Sequence, residues 1–160
     1  MAVLISIAAL TAIAQFWKPG KAPQPTSIPK ETAPFNLSGY HRAIIQYKPD
    51  YDWFVLGFTT LLQKDPGEKL LLTIHLEGGE QISNYSAQHR DITDQHLNYG
   101  FREYLDLVPF TRGDWDLLAE KKATKLVFAT EPPTTIVPTL KAQELLLTNT
   151  RKAIYWQESN

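Results

Sequence analysis

The chain contains no cysteine among its 160 residues. A disulfide framework, a thiolate metal site and a cysteine nucleophile are therefore excluded. It also lacks an excess of charge of either sign: 16 Lys and Arg stand against 17 Asp and Glu, a formal net charge of −1. Nothing global favours a polyanion, and no nucleic-acid partner is expected. The catalytic signatures that one sequence can carry are missing too. There is no G-x-S-x-G elbow and no H-E-x-x-H pair, and Gly78-Gly79 sits in a turn signal with no helix after it to cradle a phosphate. Neither a cofactor nor a metal centre is expected.

Charged side chains are also absent from residues 1–17. From Ala2 to Trp17 the polar side chains are Ser6, Thr11 and Gln15, apart from the indole N–H of Trp17. As a helix this run would span about 24 Å, against a hydrocarbon core of roughly 30 Å. Trp17 suits the interface and Lys18 can reach the headgroups, which extends the effective length. The segment reads as a single-pass membrane anchor. A signal peptide ending at Ala12-Ile13-Ala14 and a buried helix of the domain are the alternatives. Lysines follow the run and none precedes it, which favours a domain on the cytoplasmic side; cleavage would instead release an exported domain.

Residues 18–38 hold Pro19, Pro23, Pro25, Pro29 and Pro34, interleaved with Gly, Ser, Thr and Lys. Proline removes backbone donors and favours extended geometry, so this stretch reads as a semi-rigid spacer. It carries a net charge of +2, from Lys18, Lys21 and Lys30 against Glu31. The organisation expected is an anchor or signal at 1–17, a tether at 18–38 and one folded domain at 39–160.

Within that domain, residues 41–48 alternate as a strand with Ala43, Ile45 and Tyr47 on one face, and Pro49-Asp50 ends it. Residues 53–63 are apolar on both faces, as a buried strand is. Lys64-Asp65-Pro66-Gly67 is a turn signal. The clearest alternation follows, with Leu70, Leu72, Ile74 and Leu76 on one face and Leu71, Thr73, His75 and Glu77 on the other. Gly78-Gly79 suggests a hairpin into 81–85, although a two-residue turn would set Ile82 opposite His75, on the wrong face. Leu97, Phe101, Tyr104, Leu105 and Val108 fall at helical spacing, with Thr93 as N-cap, Ile92 and Leu97 as a hydrophobic staple and Pro109 as terminator. A second helix is expected over 114–122, burying Trp115, Leu118 and Ala119, then a strand over 124–130. Leu145–Thr148 repeats the Leu-Leu-Leu-Thr of 70–73, and a terminal hairpin is favoured over a helix there. The fold class is α+β, an antiparallel or mixed sheet with one or two packed helices, preceded by an N-terminal apolar helix and a Pro-rich spacer.

The dense polar constellation is His89-Arg90-Asp91-Ile92-Thr93-Asp94-Gln95-His96. His89, Asp91, Asp94 and His96, with His75 or His41 from outside the cluster, are the candidate catalytic residues, because paired imidazoles and carboxylates can share out acid–base work. The competing reading makes Asp91, Thr93 and Asp94 the oxygen-rich N-terminus of a helix. The functional expectation is a membrane-tethered, non-catalytic binding or assembly module presenting its domain to a protein partner. The alternative is a small membrane-associated hydrolase using the 89–96 cluster.

Overall fold

A computed structural model of the chain describes residues 29–63, 65, 67, 69–93 and 100–159. The expected anchor, most of the expected spacer, and Leu97 as a staple residue lie outside them. The domain is α+β: two antiparallel sheets and two α-helices. Ten strands run in chain order: β1 (Lys30–Glu31), β2 (Phe35–Ser38), β3 (His41–Lys48), β4 (Trp53–Leu62), β5 (Leu71–Leu76), β6 (Gln81–Tyr85), β7 (Gln88–Asp91), β8 (Arg102–Phe110), β9 (Ala123–Phe128) and β10 (Thr134–Ile136). Helix α1 (Arg112–Glu120) lies between β8 and β9, and α2 (Leu140–Glu158) ends the domain. The folded part thus begins before residue 39, because β1 and β2 lie within the expected tether and pair with β3.

The first sheet has the order β1-β3-β4-β8-β7, with β2 also on the outer edge of β3; the second has the order β10-β9-β5-β6. The chain changes sheets at Ser86-Ala87. Ser86 N–H donates to Leu70 O at 2.8 Å, whereas Ala87 N–H donates to Leu107 O at 2.8 Å. Alternation decides what each strand buries. Ala43, Ile45 and Tyr47 of β3, Phe54, Leu56 and Phe58 of β4, and Val108 and Phe110 of β8 face the main core. Leu72, Ile74 and Leu76 meet them from the second sheet, and α1 adds Trp115, stacked on Phe54 with ring centroids 5.2 Å apart. The opposite face of the first sheet carries a smaller buried cluster of Ile44, Val55, Leu105 and Leu107, with Ile92 packed against it. Every apolar member of that cluster belongs to β3, β4, β8 or the residue just past β7.

The β5–β6 hairpin resolves its phase by lengthening the turn. Leu76 N–H donates to Glu80 O at 2.8 Å, so the loop is 77–79 and Ile74 sits opposite Ile82. Gly78 and Gly79 hold φ of +96° and +94°, a region that side chains with a Cβ avoid.

Two expectations are overturned. Residues 102–110 form β8, the strand paired with β4 from Phe54↔Phe110 to Leu62↔Arg102, instead of the last turns of a helix. A strand buried on both faces loses its polar alternation, and the apolar run that remains matches helical spacing by coincidence. Pro109 does not terminate it. Pairing with β7 covers Tyr104 to Leu107, so Pro109 lies where β8 has a neighbour on one side only, a position proline tolerates. Glu103 N–H donates to the Thr93 hydroxyl at 3.0 Å, beyond the end of β7; residues 94–99, which an N-cap at Thr93 would serve, lie outside the described residues.

The second correction is the C-terminus, which is a helix of 19 residues and no hairpin. Ala142, Leu146, Thr150 and Ala153 form its buried stripe, and Thr139 caps it by accepting Ala142 N–H at 3.2 Å. Leu, Ala, Lys, Gln and Glu dominate the segment, and no glycine or proline interrupts it. The Leu-Leu-Leu-Thr echo therefore falls in an extended segment once and in a helix once, with neighbours deciding. Removing the largest buried ring tests the packing: Trp115→Ala should cost about 3–5 kcal/mol in urea unfolding. Thr139→Ala should cost about 1 kcal/mol, the usual loss for an N-cap.

Candidate functional site

The β4–β8–β7 register builds a compact, buried group of titratable side chains around His89. Opposed residues on antiparallel strands share a face, so Phe58, Asp106 and His89 line up across β4, β8 and β7. This places a carboxylate inside the sheet: the Asp106 side chain is 0 % exposed and that of His89 is 4 % exposed. His89 Nδ1 lies 2.8 Å from Asp106 Oδ1, and His89 Nε2 lies 3.2 Å from Oδ1 of Asp65, which is 62 % exposed. The imidazole also stacks on the Tyr104 ring, with centroids 4.6 Å apart. Asp65 Oδ1 in turn accepts Gly67 N–H at 2.9 Å, which ties the turn after β4 to the ring.

The electrostatics follow from that geometry. Burial alone would lower the His89 pKa, but the hydrogen bonds and negative charges of Asp106 and Asp65 outweigh it and raise the value. Burial pushes the Asp106 carboxyl up, and its bond to His89 pulls it back only in part. The pair as a unit therefore holds protons more firmly than its members would in water. Asp106 Oδ2 has no hydrogen-bond partner by geometry among the described residues, and contacts of the carboxyl with His89 and the Ser86 side chain offset its desolvation in part.

The other candidates are elsewhere. Asp91 accepts the hydroxyl and backbone N–H of Thr93 and pairs with Arg102, and these bonds hold its carboxyl down at about 2. His75 lies on the outward face of β5, opposite Gln81 and Lys125. His41 sits at the start of β3 with Nδ1 3.4 Å from Thr59 O, its pKa lowered by burial. Asp94 and His96 lie outside the described residues. Of the described members of the candidate set, only His89 joins the buried cluster; of its partners, Asp65 reads in the sequence as a turn residue, Tyr104 as part of a helical stripe, and Asp106 is not singled out. Asp106 did leave a trace there, as a lone acid within Tyr104–Phe110, which a strand reading would have turned inwards.

Chemically, Asp106 orients His89 as a carboxylate orients a general base. Yet Nε2, the nitrogen that would take a proton from substrate, is already bonded to Asp65. Asp65 also lines a cleft of 630 Å³ whose walls include Leu61, Leu62, Phe101, Glu131 and Pro132, and so stands between that cleft and the imidazole. Among the described residues no group of three or more His, Cys, Asp or Glu is placed to hold a metal ion. Comparison with known protein families, with curated proteins and with solved structures finds no match for this chain.

His89→Leu leaves a buried carboxylate without its partner and should cost about 3–5 kcal/mol at pH 6. The sign of the pH effect follows from the raised pKa. The native state keeps a proton that the unfolded chain releases, so the contribution is full below about 6.5 and is lost as pH rises through the folded value. Urea midpoints of the parent protein should therefore fall between pH 6 and pH 9, and those of the double variant His89→Leu with Asp106→Leu, which removes both raised groups, should not fall in this way.

Proposed function

We propose that this chain is a non-catalytic binding or assembly module, held near a membrane by residues 2–17 and presenting its α+β domain to a protein partner. One observation carries the reading. Among the described residues, the buried cluster at His89 spends both ring nitrogens on carboxylates that hold a loop to a sheet. The hydrolase alternative uses the 89–96 cluster with His75 or His41; of these, His75 occupies the outward face of β5 and His41 the start of β3, while Asp94 and His96 lie outside the described residues. A chain whose acid–base groups are committed to architecture has its surface left to work with.

A second reading concerns the first segment alone. No helix among the described residues is long and apolar enough to cross a membrane, and residues 2–17 lie outside them. Ile44, Val55, Leu105 and Leu107 are buried, and the apolar cluster they form draws, among the described residues, on one sheet alone. A sheet face is normally covered by a second layer. A buried helix of the domain at residues 2–17, the alternative to a bilayer span, would supply such a layer.

Flotation of the full chain with phospholipid vesicles separates the two. A bilayer anchor predicts that the chain floats, resists carbonate extraction, and is released by Ile7→Lys with Leu10→Lys without change in thermal stability. A sheet cover predicts that the parent stays in the soluble fraction and that the same double substitution lowers the melting temperature by several degrees.

A further inference from the structure

The bridge from Asp106 through His89 to Asp65 imposes a proton count. His89 Nδ1 lies 2.8 Å from Asp106 Oδ1, and Nε2 lies 3.2 Å from Asp65 Oδ1. An ionised carboxylate only accepts, and a neutral imidazole has one N–H to give. Both bonds therefore exist together only while the His89–Asp106 pair holds one proton beyond a neutral ring and an ionised carboxylate. That proton serves on either member. On the ring it makes an imidazolium that donates from both nitrogens. On Asp106 it makes a carboxyl that donates to Nδ1 and leaves Nε2–H for Asp65.

Loss of that proton leaves one N–H for two carboxylates, and desolvation decides between them. Asp106 is buried within the sheet, so giving up the ring N–H would leave a buried charge poorly compensated. Asp65 is exposed and exchanges the same bond for water at little cost. The remaining hydrogen therefore sits on Nδ1, facing Asp106. Nε2 becomes a bare acceptor opposite a carboxylate.

We propose that Asp106, His89 and Asp65 form a one-proton latch, which ties Asp65 to the sheet while the pair is protonated and releases it when the pair loses its proton. The charged and titratable groups facing the ring, among the described residues, come from three places. Strand β8 presents Asp106, Tyr104 and Arg102, β7 itself presents Asp91, and the turn after β4 presents Asp65. Across β4 the matching residues are Phe58 and Thr60, which do not titrate. Arg102 is paired with Asp91, whose carboxyl is held down at about 2, and burial raises the Tyr104 phenol above its already alkaline value. In this group, then, the pair alone changes protonation near neutrality. The neighbouring carboxylates place its release on the alkaline side of an ordinary histidine. What the latch controls is charge at the cleft. Asp65 and Glu131 are the acids among the described residues of the 630 Å³ cleft wall. Latched, Asp65 meets a donor N–H; released, it loses that donor and stands beside a pair one charge more negative.

The test uses the full chain with isotope-labelled histidine. The His89 ring is identified in NMR spectra by its contact with Tyr104, and its nitrogen shifts are followed from pH 6 to pH 9. Nε2 should carry hydrogen at pH 6 and lose it as pH rises, while Nδ1 ends the titration bearing hydrogen. Asp106→Asn supplies the counter-case. Its new amide donates to Nδ1 at every pH, so Nε2 should keep its hydrogen across the whole range. Asp65→Ala changes an exposed position and should lower the urea midpoint at pH 6. That loss should shrink to about half or less at pH 9, the remainder being the bond from Gly67 N–H. Hydrogen still on Nε2 of the parent at pH 9 would overturn the latch. So would its loss in Asp106→Asn, or an Asp65→Ala effect of equal size at both pH values. Should Asp106→Asn fail to fold, the parent titration and Asp65→Ala decide between them.

Discussion

The pairing of β4 with β8 is the constraint from which most of this domain follows. It extends from Phe54↔Phe110 to Leu62↔Arg102, the longest ladder in the fold, and β3 and β7 lie against its outer sides. Two adjacent central strands have no solvent face of their own, so their side chains must be apolar or be compensated. Phe54, Leu56, Phe58, Val108 and Phe110 satisfy that condition on one side, and Val55, Leu105 and Leu107 on the other. Asp106 is the carboxylate among the exceptions, beside the buried hydroxyls of Thr59 and Thr60. The register that buries Val108 and Phe110 buries Asp106 with them, and no rotamer of so short a side chain returns it to water.

The cluster around His89 is a consequence of that exception. A buried carboxylate with one orphan oxygen is tolerable only when a donor meets the other, and β7 delivers His89 at the position opposite it. An imidazole so placed has a second nitrogen to satisfy, and Asp65 reaches in from the turn after β4 to do so. The chain of need runs from sheet to acid, from acid to histidine and from histidine to loop. Each step reduces a desolvation penalty left by the one before, and none requires a substrate. Replacing such a group with apolar residues of similar volume is often neutral or stabilising, whereas removing one member is costly. Its value to the fold is therefore specificity of register, since a shift of β7 by one residue would turn His89 to the other face and strand Asp106.

How much of this was legible in the sequence depends on whether each element keeps a wet side. Strand β5 has one face on the core and Thr73 and His75 on the other, and its alternation gave it away; β3 alternates Ala43, Ile45 and Tyr47 with Arg42, Gln46 and Lys48, polar types that kept the pattern legible although Gln46 and Lys48 are buried. Helix α1 announced itself through Trp115, Leu118 and Ala119. In β8 both faces are apolar, the period of two vanishes, and tertiary pairing alone decides the conformation. In α2 the signal was present, as Ala142, Leu146, Thr150 and Ala153 at helical spacing, but a four-residue likeness to the strand region at 70–73 outweighed it. The candidate site divides in the same way. The polar run at 89–96 drew attention to His89, whereas its partners are separated from it by 24 residues for Asp65 and 17 for Asp106. Contacts of that range are set by register, and register is not written in any local window.

The two surfaces left over make different physical demands and need not compete. The groove beside β2 is lined by residues 32–39 and by one stripe of α2 that carries Lys141 and Lys152, with no acid among them. The outer face of the first sheet is a plane of side chains, with Ile44, Val55, Leu105 and Leu107 at its centre, and it suits an apolar layer.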